Sequence, residues 1–141
     1  MNSNIKEGGC LCGKARYQID LKNHQTGNCH CKDCQRQAGA PFVPFTSVDA
    51  VQFKWLSKPD GEYRATEKAV RRFCTSCGSL ITWEGVDFPH RKTVVTSTLD
   101  VMTATFDEPE DIPITYEIFT KNRWKSIPPV QGAKQFLEDN E

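Results

Sequence analysis

No run of about 18 apolar residues occurs in the 141-residue sequence, so no membrane-spanning helix is expected. An excess of either charge is missing too. Eighteen Lys and Arg offset eighteen Asp and Glu, and neither sign gathers into a long block, which leaves no electrostatic footprint for nucleic acid or an anionic membrane. Small-molecule partners are expected instead. The short basic pieces Arg71-Arg72 and His90 to Lys92 read as ordinary solvated faces. Internal repeats, low-complexity segments and linkers are absent. The start, MNSNIKEGG, has no apolar stretch behind its lysine, which argues against a secretory signal. The length suits one core and not two, so residues 1–141 are expected to form a single cytoplasmic domain.

Helix signals are also scarce. They are confined to Lys32 to Ala38, ending at Gly39, and to Ala133 to Asp139, after Gly132. Alternation dominates elsewhere: Ala15, Tyr17, Ile19 and Leu21; Val51, Phe53 and Trp55; Ile114, Tyr116 and Ile118, each set interleaved with polar residues. Further strands are expected at Phe42 to Val48, Glu62 to Phe73, Leu80 to Trp83 and Thr93 to Leu99, with turns at Pro59-Asp60-Gly61 and around Glu84-Gly85. The fold class is mainly β with short helices.

What the sequence does have is seven cysteines, an odd number that no disulfide framework uses fully. They fall into three groups: Cys10-x-Cys12, Cys29-x-Cys31-x-x-Cys34 and Cys74-x-x-Cys77. Zinc requires thiolates at tetrahedral positions about 2.3 Å away, and close pairs supply two ligands per turn. In CTSCG the glycine after the second cysteine can take positive φ and close the backbone over the sulfurs; GGCLCG follows the same logic. Two such knuckles make one closed site. Cys29 and Cys31 point to one side of an extended segment, and a helical turn from Lys32 would return Cys34 towards them. Three ligands leave a fourth position open, the mark of a catalytic zinc, whereas four filled positions mark a structural one. His30 points the other way, to support the ligands or face solvent, with a fourth-ligand role as the rival reading. A redox C-x-x-C at Cys74 and Cys77 and an iron–sulfur cluster remain alternatives, although no thioredoxin-like pattern surrounds the former.

GGCLCGKARY, CHCKDCQRQAGAPF and RRFCTSCGSL, in this order, resemble the family of the glutathione-dependent formaldehyde-activating enzyme, which includes the centromere protein V domain. The resemblance is strong over about residues 8 to 83 and looser through TSTLD to a late segment with Trp124. It implies a β-tent-like fold of small sheets around a zinc. It also implies that Cys10, Cys12, Cys74 and Cys77 hold a structural zinc while Cys29, Cys31 and Cys34 hold a second, catalytic one; spacing alone leaves members exchangeable between groups. Where relatives tend to carry a late histidine this chain reads TYEIFTKNRW, with Tyr116 and Glu117. The long basic extension tied to chromatin binding in centromere protein V has no counterpart in the nine residues before Cys10.

The implied activity is that of a carbon–sulfur lyase acting on the thiol adduct of a small aldehyde, with glutathione, formaldehyde and S-hydroxymethylglutathione as the family's reactants. Lys32 and Arg36 are read as solvent-facing charges, with a role beside the thiolates as the rival. A two-zinc module that binds a thiol or a protein surface without turnover is the alternative function, and a glutathione-independent lyase in aldehyde detoxification is a third.

Overall fold

The computed structural model describes residues 4–67, 69–86 and 97–139. The basic piece His90 to Lys92 and the first half of the strand expected at Thr93 to Leu99 lie outside these residues. Within them, eleven strands run in order: β1 (Ile5–Gly9), β2 (Arg16–Asp20), β3 (Gln25–Cys29), β4 (Val43–Asp49), β5 (Phe53–Ser57), β6 (Gly61–Thr66), β7 (Ala69–Phe73), β8 (Leu80–Val86), β9 (Ser97–Met102), β10 (Tyr116–Ile118) and β11 (Lys134–Gln135). One α-helix, α1 (Lys32–Ala38), follows β3. The fold is mainly β, as the alternation implies.

The strands form a three-stranded sheet, β1-β2-β5, and an eight-stranded sheet ordered β11-β10-β3-β4-β9-β8-β7-β6. Pairing is antiparallel except for β10, which runs parallel to both β3 and β11. Alternating side chains divide the larger sheet between two apolar clusters. Val48, Leu99 and Val101 pack with Tyr17, Ile19 and Leu21 of the smaller sheet's hairpin, while Val43, Phe45, Met102, Tyr116 and Ile118 form a second cluster with Cys29. Tyr17 is fully buried, with Phe53 stacked at 5.1 Å. Gly27 is required on β3, because a Cβ there would lie 2.8 Å from the Tyr116 ring.

Several local expectations fail for identifiable reasons. Ala133 to Asp139 is not a helix. Lys134 N donates to Thr115 O and Phe136 N to Glu117 O, so sheet-edge pairing with β10 overrides a helix-favouring composition. Glu84-Gly85 is not a turn, because β8 is bonded on both sides there, to Val70 and Ala69 and to Leu99 and Thr98. Glu62 to Phe73 folds into a hairpin of two strands, and Val51 sits in a 3₁₀ turn and is exposed. The helix at Lys32–Ala38 stands as expected, with Gly39 left-handed at φ 63°.

Candidate metal centres

The β1–β2 hairpin of the small sheet and the β7–β8 hairpin of the large one meet at their turns, which bring Cys10, Cys12, Cys74 and Cys77 together with all four sulfurs within 4.8 Å of one another. Sγ–Sγ separations of 3.6 Å for Cys10–Cys12 and 3.7 Å for Cys12–Cys74 match the ~3.8 Å edge of a tetrahedron built on 2.3 Å zinc–sulfur bonds, not a disulfide. The glycines after the pairs take positive φ, 83° at Gly13 and 78° at Gly78, and Gly78 N donates to Cys74 O at 2.7 Å. The turns are stitched to each other by Leu11 N to Ser79 Oγ (3.0 Å) and Lys14 Nζ to Ser76 Oγ (2.9 Å). The Ser79 hydroxyl holds the Cys77 thiol down to about 5, towards the thiolate a metal requires.

Cys29, Cys31 and Cys34 form the second group, again with sulfurs within 4.8 Å. Cys29 ends β3, Cys31 caps α1 with its sulfur accepting from Cys34 N at 3.4 Å, and Cys34 lies in the helix's first turn. Hydrogen bonds from Cys29 and then Cys34 pull the Cys31 thiol down to about 2, and the same sharing with Cys31 pushes Cys29 up. Three thiols this close do not all ionise unaided, and a divalent ion removes the conflict. Both groups therefore have the donor chemistry and spacing of zinc sites.

A cavity of about 200 Å³ opens over the three sulfurs. Its wall follows from strand register, since residues directly opposite each other share a sheet face. Arg71 faces Trp83, Trp83 faces Asp100 and Asp100 faces Ser47; Met102 faces Phe45, and Cys29 lies between Val43 and Ile118. Asp139 and Phe119 complete the lining, Phe119 from the left-handed region at φ 55°, a costly conformation for an aromatic residue.

Arg71 is a cavity-lining residue that the sequence reading missed. It is not on an ordinary solvated face. It lines the cavity with the three cysteines, and its Nη1 donates to Gln37 on α1 at 2.5 Å. Its place three residues before Cys74, on the strand entering a knuckle, was the available signal. Arg72 is paired instead with Glu62 and Glu84. Lys32 and Arg36 are exposed and do not line the cavity.

His30 is not on the surface: it is fully buried, and neither of its nitrogens joins the three sulfurs. Its ring lies 5.3 Å from Phe42, and Nε2 is 2.9 Å from Glu117 Oε1. Glu117, 1% exposed, also accepts from Asn28, Arg123, Gln135 and Val130 N. Burial alone would raise its carboxyl; the bonds from His30, Gln135, Val130 and Asn28 outweigh burial and hold it down to about 2. The carboxylate is ionised and can only accept, so His30 Nε2 carries the hydrogen between them.

The sequence model of the family described as glutathione-dependent formaldehyde-activating enzyme matches residues 5–122. No curated protein gives a significant match. Among solved structures, the crystal structure of a Rhodobacter sphaeroides protein determined as a Northeast Structural Genomics target has a TM-score of 0.55 at 15% identity, covering 92% of this chain and 98% of that one. The likeness at that identity concerns the fold. No helix among the described residues is long and apolar enough to cross a membrane.

Proposed function

Because the chain belongs to the glutathione-dependent formaldehyde-activating enzyme family, we propose that it is a zinc-dependent carbon–sulfur lyase that forms and cleaves the thiol adduct of a small aldehyde, S-hydroxymethylglutathione from glutathione and formaldehyde being the candidate. The gathering of Cys29, Cys31 and Cys34 at a walled cavity, with no fourth protein ligand among the described residues, carries the reading. These three would hold a catalytic zinc, and Cys10, Cys12, Cys74 and Cys77 a structural one. A zinc ion held by Cys29, Cys31 and Cys34 would supply the Lewis acidity that favours the thiolate form of an incoming thiol at neutral pH.

The chain's own groups do the rest. Val43, Phe45, Met102 and Ile118 present apolar surface beside the sulfurs, which limits water at the reacting carbon. Three thiolates exceed the charge of a divalent ion by one; Arg71 is the cation in a lining that also holds Asp100 and Asp139, and its guanidinium can hold a substrate carboxylate. In the forward direction a sulfur–carbon bond forms as the carbonyl π bond breaks, and the proton lost from the thiol ends on the former carbonyl oxygen. The reverse step returns thiol and aldehyde. Seven free thiols support a reducing, cytoplasmic setting and a role in aldehyde detoxification.

The test is exchange spectroscopy of formaldehyde, glutathione and their adduct with and without protein. Exchange above the protein-free rate that is lost in Cys31→Ser is the expected result. Thiol binding without acceleration would make the protein a binding module, and acceleration that survives Cys31→Ser would overturn the site assignment.

A further inference from the structure

A three-ligand centre lacks the fourth side chain that would close it, so its ligands must be held by something other than one another. On the Cys29–Cys31 side that support converges on a single buried carboxylate. His30 lies between the two cysteines, and its polar anchors come from two elements, β10 and α1. Its N donates to Ile118 O at 3.1 Å, its O accepts from Gln35 Nε2 at 2.8 Å, and its Nε2–H reaches Glu117 Oε1 at 2.9 Å. Asn28 Nδ2, from the residue before Cys29, reaches the same Oε1 at 3.1 Å. Glu117 therefore grips the chain immediately before Cys29 and immediately after it. Its other oxygen, Oε2, is fixed by Gln135 Nε2 at 2.8 Å, Val130 N at 3.0 Å and Arg123 Nη2 at 3.2 Å. One oxygen faces the ligand segment and the other faces the C-terminal segment that pins it.

We propose that Glu117 is a positioning residue for the three-thiol site, acting through His30 and Asn28 to keep the Cys29 and Cys31 sulfurs aimed at one point. The inference rests on the reading of Cys29, Cys31 and Cys34 as metal ligands and adds a residue that touches neither metal nor substrate. Groups that orient ligands from behind typically change metal affinity 10- to 100-fold when removed. The imidazole does not coordinate; it passes the position of the carboxylate to the backbone on which both cysteines sit. The division between the two carboxylate oxygens makes this separable from general stability, because Gln135 anchors Glu117 without touching the ligand segment.

The experiment is a cobalt(II) titration of the full chain, reading the sulfur-to-metal absorption of the second, weaker site, alongside thermal melts. Glu117→Gln is expected to weaken that site roughly 10- to 100-fold while the four-sulfur site stays filled. His30→Ala should weaken it similarly, and His30→Gln, whose amide can place an N–H near the imidazole's, should recover most of the loss. Adding His30→Ala to Glu117→Gln should cost little more than either change alone. Gln135→Ala should lower the melting temperature with the second-site affinity unchanged. Affinity within about twofold of wild type in Glu117→Gln, or equal losses in Glu117→Gln and Gln135→Ala, overturns the proposal. If Glu117→Gln does not fold, the His30 pair decides: equal affinity in His30→Ala and His30→Gln overturns it. A wild-type protein that takes up only one ion overturns both this inference and the lyase reading, whereas two-site binding without catalysed exchange removes only the lyase.

Discussion

The two cysteine clusters use the same side chain and similar sulfur spacing, yet they are built in opposite ways. The four-sulfur cluster joins two turns from two sheets, so its partners lie 62 residues apart at Cys12 and Cys74 and closing it ties the small sheet to the large one. The three-sulfur cluster lies within six residues, at the end of one strand and the start of one helix, and joins no distant elements by itself. The first lies against stitched turns and the second opens into a cavity walled by Arg71, Phe45 and Met102. Sulfurs drawn from separate elements suit the structural zinc proposed for the first cluster, and sulfurs from one local segment leave the cavity proposed for the substrate beside the second.

The largest break in that comparison is expected at the four-sulfur cluster. Cys10→Ser or Cys74→Ser removes a ligand from a site whose metal contributes on the order of 10 kcal/mol to folding in small domains, and soluble folded protein should be lost. Unchanged solubility and melting would show that the cluster does not hold the sheets together. Next in size, Cys31→Ser or Cys34→Ser should leave the melt nearly unchanged while the zinc content drops from two ions per chain to about one and catalysed exchange disappears. In wild type a chelator should strip this second ion first, and glutathione should slow its release by filling the fourth position. Simultaneous release of both ions would erase the distinction between the clusters.

A smaller effect is expected at the cavity wall. Arg71→Gln keeps the strand but removes the charge beside Cys31 and Cys34, and should raise KM for an anionic thiol about tenfold, the equivalent of ~1.4 kcal/mol, with less change for a neutral one. Equal changes for both thiols would assign Arg71 to packing. The last effect is confined to the acid range. The Glu117 carboxyl, ordinarily near 4.5, is held at about 2 in the fold. Its contribution to stability is therefore complete above about pH 4.5 and is lost as pH falls towards 2. Melting temperature should decline across that window, and Glu117→Gln should flatten part of the slope. Parallel wild-type and variant curves would mean that the folded and unfolded states hold this proton equally.

Much of this was legible in the sequence because it depends on neighbours along the chain. The three cysteine groups, Gly13 and Gly78 that close the backbone over them, helix α1 with its end at Gly39, and the alternation of Tyr17 and Ile19 with polar residues are all local patterns, fixed by the periods of strand and helix and by the φ a residue can reach. What the tertiary structure alone decided depends on pairing across long separations. Arg71 reads as one half of a basic dipeptide until β7, β8 and β9 place it in a row with Trp83 and Asp100 over the sulfurs. His30 reads as pointing away from a metal until β10, 87 residues on, supplies Glu117 beneath it. Lys134 and Gln135 read as helix until the edge of β10 offers backbone partners. In each case the deciding contact has no sequence period, because register between distant strands is set by which faces bury together and not by the order of residues along any one of them.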